Sequence, residues 1–167
     1  MSVELEQFEN KPNPLDNVEE LLSNNNWMFN RLNNAELMVE VDGKHCGYRL
    51  FFIWQEDMST LQFCAQYDLE ISNENKPAAA QAVMDINENL WMGHFDIPKD
   101  TNVPSFRHTC LLRGIRDDQA HSHIEDLVDI SMVQCERFYS VFHFLSENVA
   151  MNDQALSLAL METSGQA

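Results

Sequence analysis

The chain has 167 residues, 44% of them hydrophobic, and sets 10 Lys and Arg against 27 Asp and Glu, a net charge of −17. That length suits one domain, which at this size buries roughly 70% of its unfolded surface and needs neither disulfide nor metal to stand. The negative field repels phosphate backbones and anionic lipid, which argues against nucleic acid and membrane as partners.

Residues 1–12 read as a flexible acidic lead, and Met1–Asn10 lacks the basic-then-apolar layout of a secretory signal. Residues 13–163 read as a single domain, with 164–167 as a tail. Asn13 before Pro14 predicts an N-cap and first helical residue, with Asp16 in the first turn and Leu15, Val18, Leu21 and Leu22 on one face. Asn24-Asn25-Asn26 ends that helix, and Trp27–Leu32 predicts a short edge strand. Glu36–Asp42 alternates, with Leu37, Val39 and Val41 on its apolar face. Asp42-Gly43 predicts a hairpin whose turn uses positive φ, and Gly47 predicts a bulge or adjustment in the strand that follows. That strand, Tyr48–Gln55, is apolar on both faces at its centre, which predicts a central strand covered on both sides. Glu56–Ser59 turns the chain into a half-buried strand over Leu61–Leu69.

Pro77 predicts the start of a helix running to Met92 and closed by Gly93 in the left-handed region. His94–Ile97 and Ser105–Leu112 predict a second hairpin. A long helix follows to Ser146, starting at Asp118 or, by the capping box Ser122-x-x-Glu125, at Ser122. It bears two apolar stripes: Ile124, Leu127, Val128, Cys135, Phe138, Phe142 and Leu145, and Ile130, Val133, Val141 and Phe144. Two stripes exceed what docking on one sheet requires, so the helix is either sandwiched within the monomer or also meets another subunit. Asn152–Met161 predicts a short amphipathic tail helix capped by Asn152. The fold class is therefore α+β: an antiparallel sheet, made of a three-stranded meander plus a second hairpin, with helices packed on it.

Chemistry is sparse. His121 and His123 diverge by about 200° on a helix and chelate together only in an irregular turn. His45 and Cys46 point to opposite sides of a strand, whereas His108 and Cys110 share a face without a third ligand. No H-x-x-x-H, C-x-x-C or H-E-x-x-H pattern occurs, nor a Gly-rich phosphate loop or G-x-S-x-G. Cys110, beside His108 and Arg113, is the best-placed thiol for nucleophilic work, yet its pattern is that of a core strand cysteine. No catalytic, cofactor-binding or metal-binding residue is assigned, no cofactor is expected, and the chain reads as a non-enzyme. The four cysteines, Cys46, Cys64, Cys110 and Cys135, lie scattered in apolar elements, as reduced thiols of a cytoplasmic protein do. Leu50–Trp54, the longest strongly apolar run, is far too short to span a bilayer.

Several segments together resemble a known family. They are Asn13-Pro14-Leu15-Asp16; LMVEVDGKHCGYRLFFIWQEDMSTLQF at 37–63; INENLWMGHFD at 86–96; FRHTCLLRG at 106–114; and VQCERFYSVFHFL at 133–145. In order and spacing they are similar to the YbjN-domain family of bacterial sensory transduction regulators, and the LWMGHFD segment resembles its alphaproteobacterial branch. The resemblance implies a fold similar to type III secretion chaperones, which are small acidic homodimers that bind extended segments of other proteins. It implies no catalytic residues. It also leads one to expect a proline where Ser140 stands, which leaves a helix break there open. The combined reading is a regulatory or chaperone-like homodimer with a protein or peptide partner, contacting through Trp91, Phe95, Ile130, Val133, Phe138, Val141, Phe142 and Phe144. The alternative is a small-ligand or metal-sensing regulator built on His108, Cys110 or the His121/His123 segment.

Overall fold

The computed structural model describes residues 13–147 and 153–164. Its elements are α1 (Pro14–Asn24), β1 (Phe29–Asn33), β2 (Glu36–Asp42), β3 (Gly47–Gln55), β4 (Thr60–Tyr67), α2 (Lys76–Glu88), β5 (His94–Asp96), β6 (Ser105–Leu111), α3 (Asp117–Ser146) and α4 (Asp153–Ser164). Single 3-10 turns occupy Glu56–Met58 and Asn73–Asn75. The strands form one six-stranded sheet in the order β1-β2-β3-β4-β6-β5, antiparallel at every pairing. The α+β reading holds, and the meander and the second hairpin join through the β4–β6 ladder. The acidic lead and the Asn152 cap lie outside the described residues.

Local chemistry explains most boundaries. The Asn13 side chain accepts from the Leu15 N–H at 3.0 Å and donates to the Asn34 carbonyl at 2.7 Å, so one residue caps α1 and ties it to the β1–β2 turn. The β2–β3 hairpin forms where Asp42-Gly43 predicted it, but Gly43 is absent from the positive-φ residues. Its turn spans Gly43–Cys46, closed by the Gly43 N–H donating to the Cys46 carbonyl at 2.8 Å. Glycine is needed there for closeness: an added Cβ would lie 2.1 Å from Glu136 Oε1 and 2.3 Å from the Tyr48 ring. Gly47 makes no bulge; it pairs in register with Asp42.

One helix end departs from the sequence reading, and one open start is decided. α2 stops at Glu88, not Met92. Asn87 draws the chain back, its amide donating to the Phe95 carbonyl at 2.9 Å and accepting from the Phe95 N–H at 2.7 Å. Gly93 does have φ +68°, but it sits beyond the helix, where a Cβ would strike the Phe106 ring and the Arg107 carbonyl. α3 begins at Asp117, so Ser122 lies inside the helix and its hydroxyl donates back to the Asp118 carbonyl at 3.4 Å. Two first-turn acids and a buried Ala120 stabilise that earlier start. The helix then runs unbroken through Ser140.

The core lies between the helices and one face of the sheet. Leu37, Val39, Val41, Tyr48, Leu50, Phe52, Leu61, Phe63, Ala65, Phe95 and Phe106 point into it from the strands. From the helices it receives Leu15, Val18 and Leu22, then Ala79, Ala82 and Ile86, then the first stripe of α3. Phe95 is its aromatic hub, with ring centroids 5.2, 5.6 and 5.4 Å from Phe106, Phe138 and Phe142. Each such ring, once enclosed, contributes about 1.5–3 kcal/mol of transfer free energy. Burial also pushes the Tyr67 hydroxyl and the Cys135 thiol well above their ordinary ranges, and Tyr67 donates to the Cys135 carbonyl.

Candidate functional site

Strand periodicity sends alternate side chains to the opposite face of the sheet, and none of the described helices reaches it. One row crosses all six strands as successive partners: Asn30, Met38, Phe51, Cys64, Arg107 and His94. Beside it run Glu36, Ile53, Gln62 and Thr109 on one flank and Glu40, Arg49, Gln66, Ser105 and Asp96 on the other. Met38, Phe51, Ile53 and Cys64 are half-buried, and the charged members are exposed or half-buried. Ser105, small and enclosed, donates to the Val103 carbonyl at 3.2 Å. The expectation that β3 is covered on both sides is thus corrected among the described residues: it is central in the sheet, but Phe51 and Ile53 face outward with no described helix over them. The apolar second face of β3 and the stray Met38 in β2 were the available signal, misread because a sequence does not show on which side helices pack.

The electrostatics of this open face are mixed. Arg49 pairs with Glu40 at 3.3 Å and Arg107 with Asp96 at 3.0 Å. β2 contributes three acids, Glu36, Glu40 and Asp42, whereas β6 contributes only a base, Arg107. Burial raises the Cys64 thiol, with Arg107 partly opposing it.

Of the eight contact residues named from sequence, Phe95, Phe138, Val141 and Phe142 are core residues, enclosed by the chain's own helices and sheet. That burial takes them off the surface of the single chain. Trp91, Val133 and Phe144 are 76, 63 and 43% exposed, and Ile130 is half-buried. The first three are spread over the α2–β5 connection and the outer flank of α3. α4 covers part of that flank, burying Leu156 and Ala159, and the Arg137 guanidinium donates to the Thr163 carbonyl at 3.2 Å. The two stripes of α3 are therefore divided between sheet, α4 and solvent.

At the other end of the sheet the β2–β3 turn is fastened to α3. The Lys44 N–H donates to Glu136 Oε1 at 2.7 Å, His45 stacks on Tyr139 with centroids 5.1 Å apart, and Tyr139 stacks on His143 at 5.4 Å. His108 and Cys110 share the helix-side face of β6, opposite Phe63 and Leu61. Burial lowers the His108 imidazole, the charge of His94 acting in the same direction, and burial raises the Cys110 thiol. Among the described residues no three His, Cys, Asp or Glu side chains converge as a metal would require. Two shallow clefts of about 260 and 250 Å³ flank Arg49, one lined by Asp68 and Glu70, the other by Glu40, Asp42 and Asp68. Both are smaller than the ~300–1,000 Å³ usual for small-molecule sites. No helix of the described residues is long and apolar enough to cross a membrane.

A family model described as "Putative bacterial sensory transduction regulator", YbjN, matches residues 14–144. The chain belongs to the YbjN family. The match spans everything from Pro14 at the start of α1 to the outer flank of α3, so the open face and the fastened hairpin both lie inside the YbjN domain, whereas α4 lies beyond it. A solved structure described as "Crystal structure of YbjN, a putative transcription regulator from E. coli" is similar over 73% of this chain and 89% of that chain, with 16% identity and a TM-score of 0.51. At that identity the likeness speaks for the YbjN fold alone. No curated protein matches the chain.

Proposed function

We propose that this YbjN-family regulator works without catalysis, by binding polypeptides, and that it does so as a homodimer. The observation that carries the reading is the sheet face that no described helix covers, with a row of apolar side chains at its centre and charged groups around it. Such a patch on an otherwise acidic surface is the mark of a contact site. Trp91, Ile130, Val133 and Phe144 add a second group of apolar positions, and exposed aromatics of this kind act as anchors for a protein or peptide partner. A chaperone-like mode, in which an extended segment of another protein lies along the α3 flank, fits that spacing. The four free thiols suit a reducing, cytoplasmic setting.

Affinity capture from the native bacterium tests the reading, with wild type compared against Val133→Glu and Phe144→Glu. Both residues are exposed, so melting temperature holds in the variants while the captured polypeptide is lost. Equal recovery with wild type and both variants overturns the α3 flank as the contact. A substrate turned over by the purified chain overturns the non-catalytic reading.

A further inference from the structure

We propose that a second copy of this chain seats face to face on the open side of the sheet, related by a two-fold axis that runs parallel to the strands between β3 and β4. The inference rests on the homodimer reading above and supplies its geometry.

The edges of the sheet are poor alternatives. At β5 the outward N–H and carbonyl of Phe95 are both taken by the Asn87 side chain. At β1 the ladder is irregular between Arg31 and Asn33. Blocked or broken edges are how sheets avoid strand-to-strand association, which leaves the face. The face is also the right size. Six strands spaced about 4.8 Å apart, with about seven residues rising about 3.3 Å each, give a flat footprint of roughly 650 Å². Side-chain relief enlarges this toward the ~800 Å² per partner of a stable interface.

Charge decides the orientation. The strand order places the centre of the sheet between β3 and β4. The proposed axis lays β3 over the partner's β4, β2 over its β6 and β1 over its β5, with each row of side chains over its own copy. Phe51 then meets the partner's Cys64, and Ile53 meets the partner's Gln62. Arg107 lands over the partner's Met38, between the partner's Glu36 and Glu40. The acid-bearing strand of each copy thus faces the strand that carries only a base, twice by symmetry. The contact is isologous and closes on itself. Sheets packed this way sit about 10 Å apart with strands within about 30° of each other, which long side chains such as arginine span.

The test is analytical ultracentrifugation at micromolar concentration, with thermal unfolding run on every variant. The wild type sediments at twice the 19.3 kDa chain mass. Arg107→Glu sediments as a single chain, and so does the double variant Glu36→Arg/Glu40→Arg, because each places like charges opposite one another. An equimolar mixture of the two restores the dimer, since both contacts of the mixed pair are then attractive. That recovery also shows that both variants fold. A measurement on the wild type stands beside it: Cys64 reacts with iodoacetamide faster on dilution below the dimer range, while Cys135 stays unreactive. A wild type of single-chain mass overturns both this inference and the homodimer reading. A dimer that survives both charge reversals, with Cys64 labelling independent of concentration, overturns the face alone and leaves the homodimer reading on another surface. A monomeric wild type that loses a foreign polypeptide on Phe51→Asp assigns the face to another protein and overturns the second copy as its occupant.

Discussion

The two faces of one sheet differ in what their aromatic residues do. Phe52 and Phe51 are neighbours on β3. Phe52 is fully enclosed, with its ring 5.1 Å from Phe63, while Phe51 lies half-open beside Met38 and Cys64. The same residue type, one position apart, is core on one side and surface on the other. Cohesion belongs to the covered face, and the open face is the one proposed for association.

Substitutions sharpen that contrast. The largest effect is expected in the covered core: Phe142→Ala removes a fully buried ring from the Phe95 hub and lowers stability by about 3–5 kcal/mol in urea unfolding. Phe51→Ala on the open face lowers the stability of the dissociated chain by about 1 kcal/mol or less. Equal losses at the two positions would abolish the distinction between the faces. Next comes Asn87→Ala, which strips both hydrogen bonds from the Phe95 backbone and costs about 1–3 kcal/mol. Amide exchange at Phe95 should accelerate well beyond that at Phe106, and unchanged exchange would mean Asn87 does not hold the β5 edge.

Gly43→Ala should destabilise by about 1–3 kcal/mol, because the added methyl meets Glu136 and Tyr48 where the hairpin is fastened to α3. The matching Glu136→Ala removes the nearer of those two contacts, so the double variant should lose less than the two single losses combined; simple additivity would place the strain at Tyr48. The smallest effect is on pH dependence. His108 binds its proton less readily folded than unfolded, because burial lowers its pKa. Its contribution is therefore fully present above the unfolded value of about 6.5 and is lost as pH falls from there toward the lower folded value. His108→Asn should flatten the fall in melting temperature between those limits, and an unchanged slope would remove His108 as its source.

Elements governed by their own residues were legible in the chain. The Asn13–Pro14 cap, the alternation of β2, the hairpin at Asp42-Gly43 and the end of α3 at Ser146 all follow from short-range preferences. The errors cluster where a distant residue intervenes. Gly43 was read as a φ requirement and proved to be a spacing requirement set by Glu136. Met92 was read as a helix end, whereas the Asn87–Phe95 clamp ends the helix sooner. For the candidate site, Trp91, Ile130, Val133 and Phe144 kept at least partial exposure, while Phe95, Phe138, Val141 and Phe142 were absorbed by the core. The row from Met38 to Arg107 was missed, because its members are far apart in the chain and only register unites them.

Sequence by itself determined the α+β class, the order of the elements, the acidic surface and membership of the YbjN family. Those depend on composition, on periodicities of 2.0 and 3.6, and on turn and cap chemistry, all of which are local. Tertiary structure alone decided which face of the sheet the helices cover. Both faces of β3 are apolar enough to be buried, and the choice falls to the helices, which together enclose one side and leave Phe51, Cys64 and Arg107 on the other.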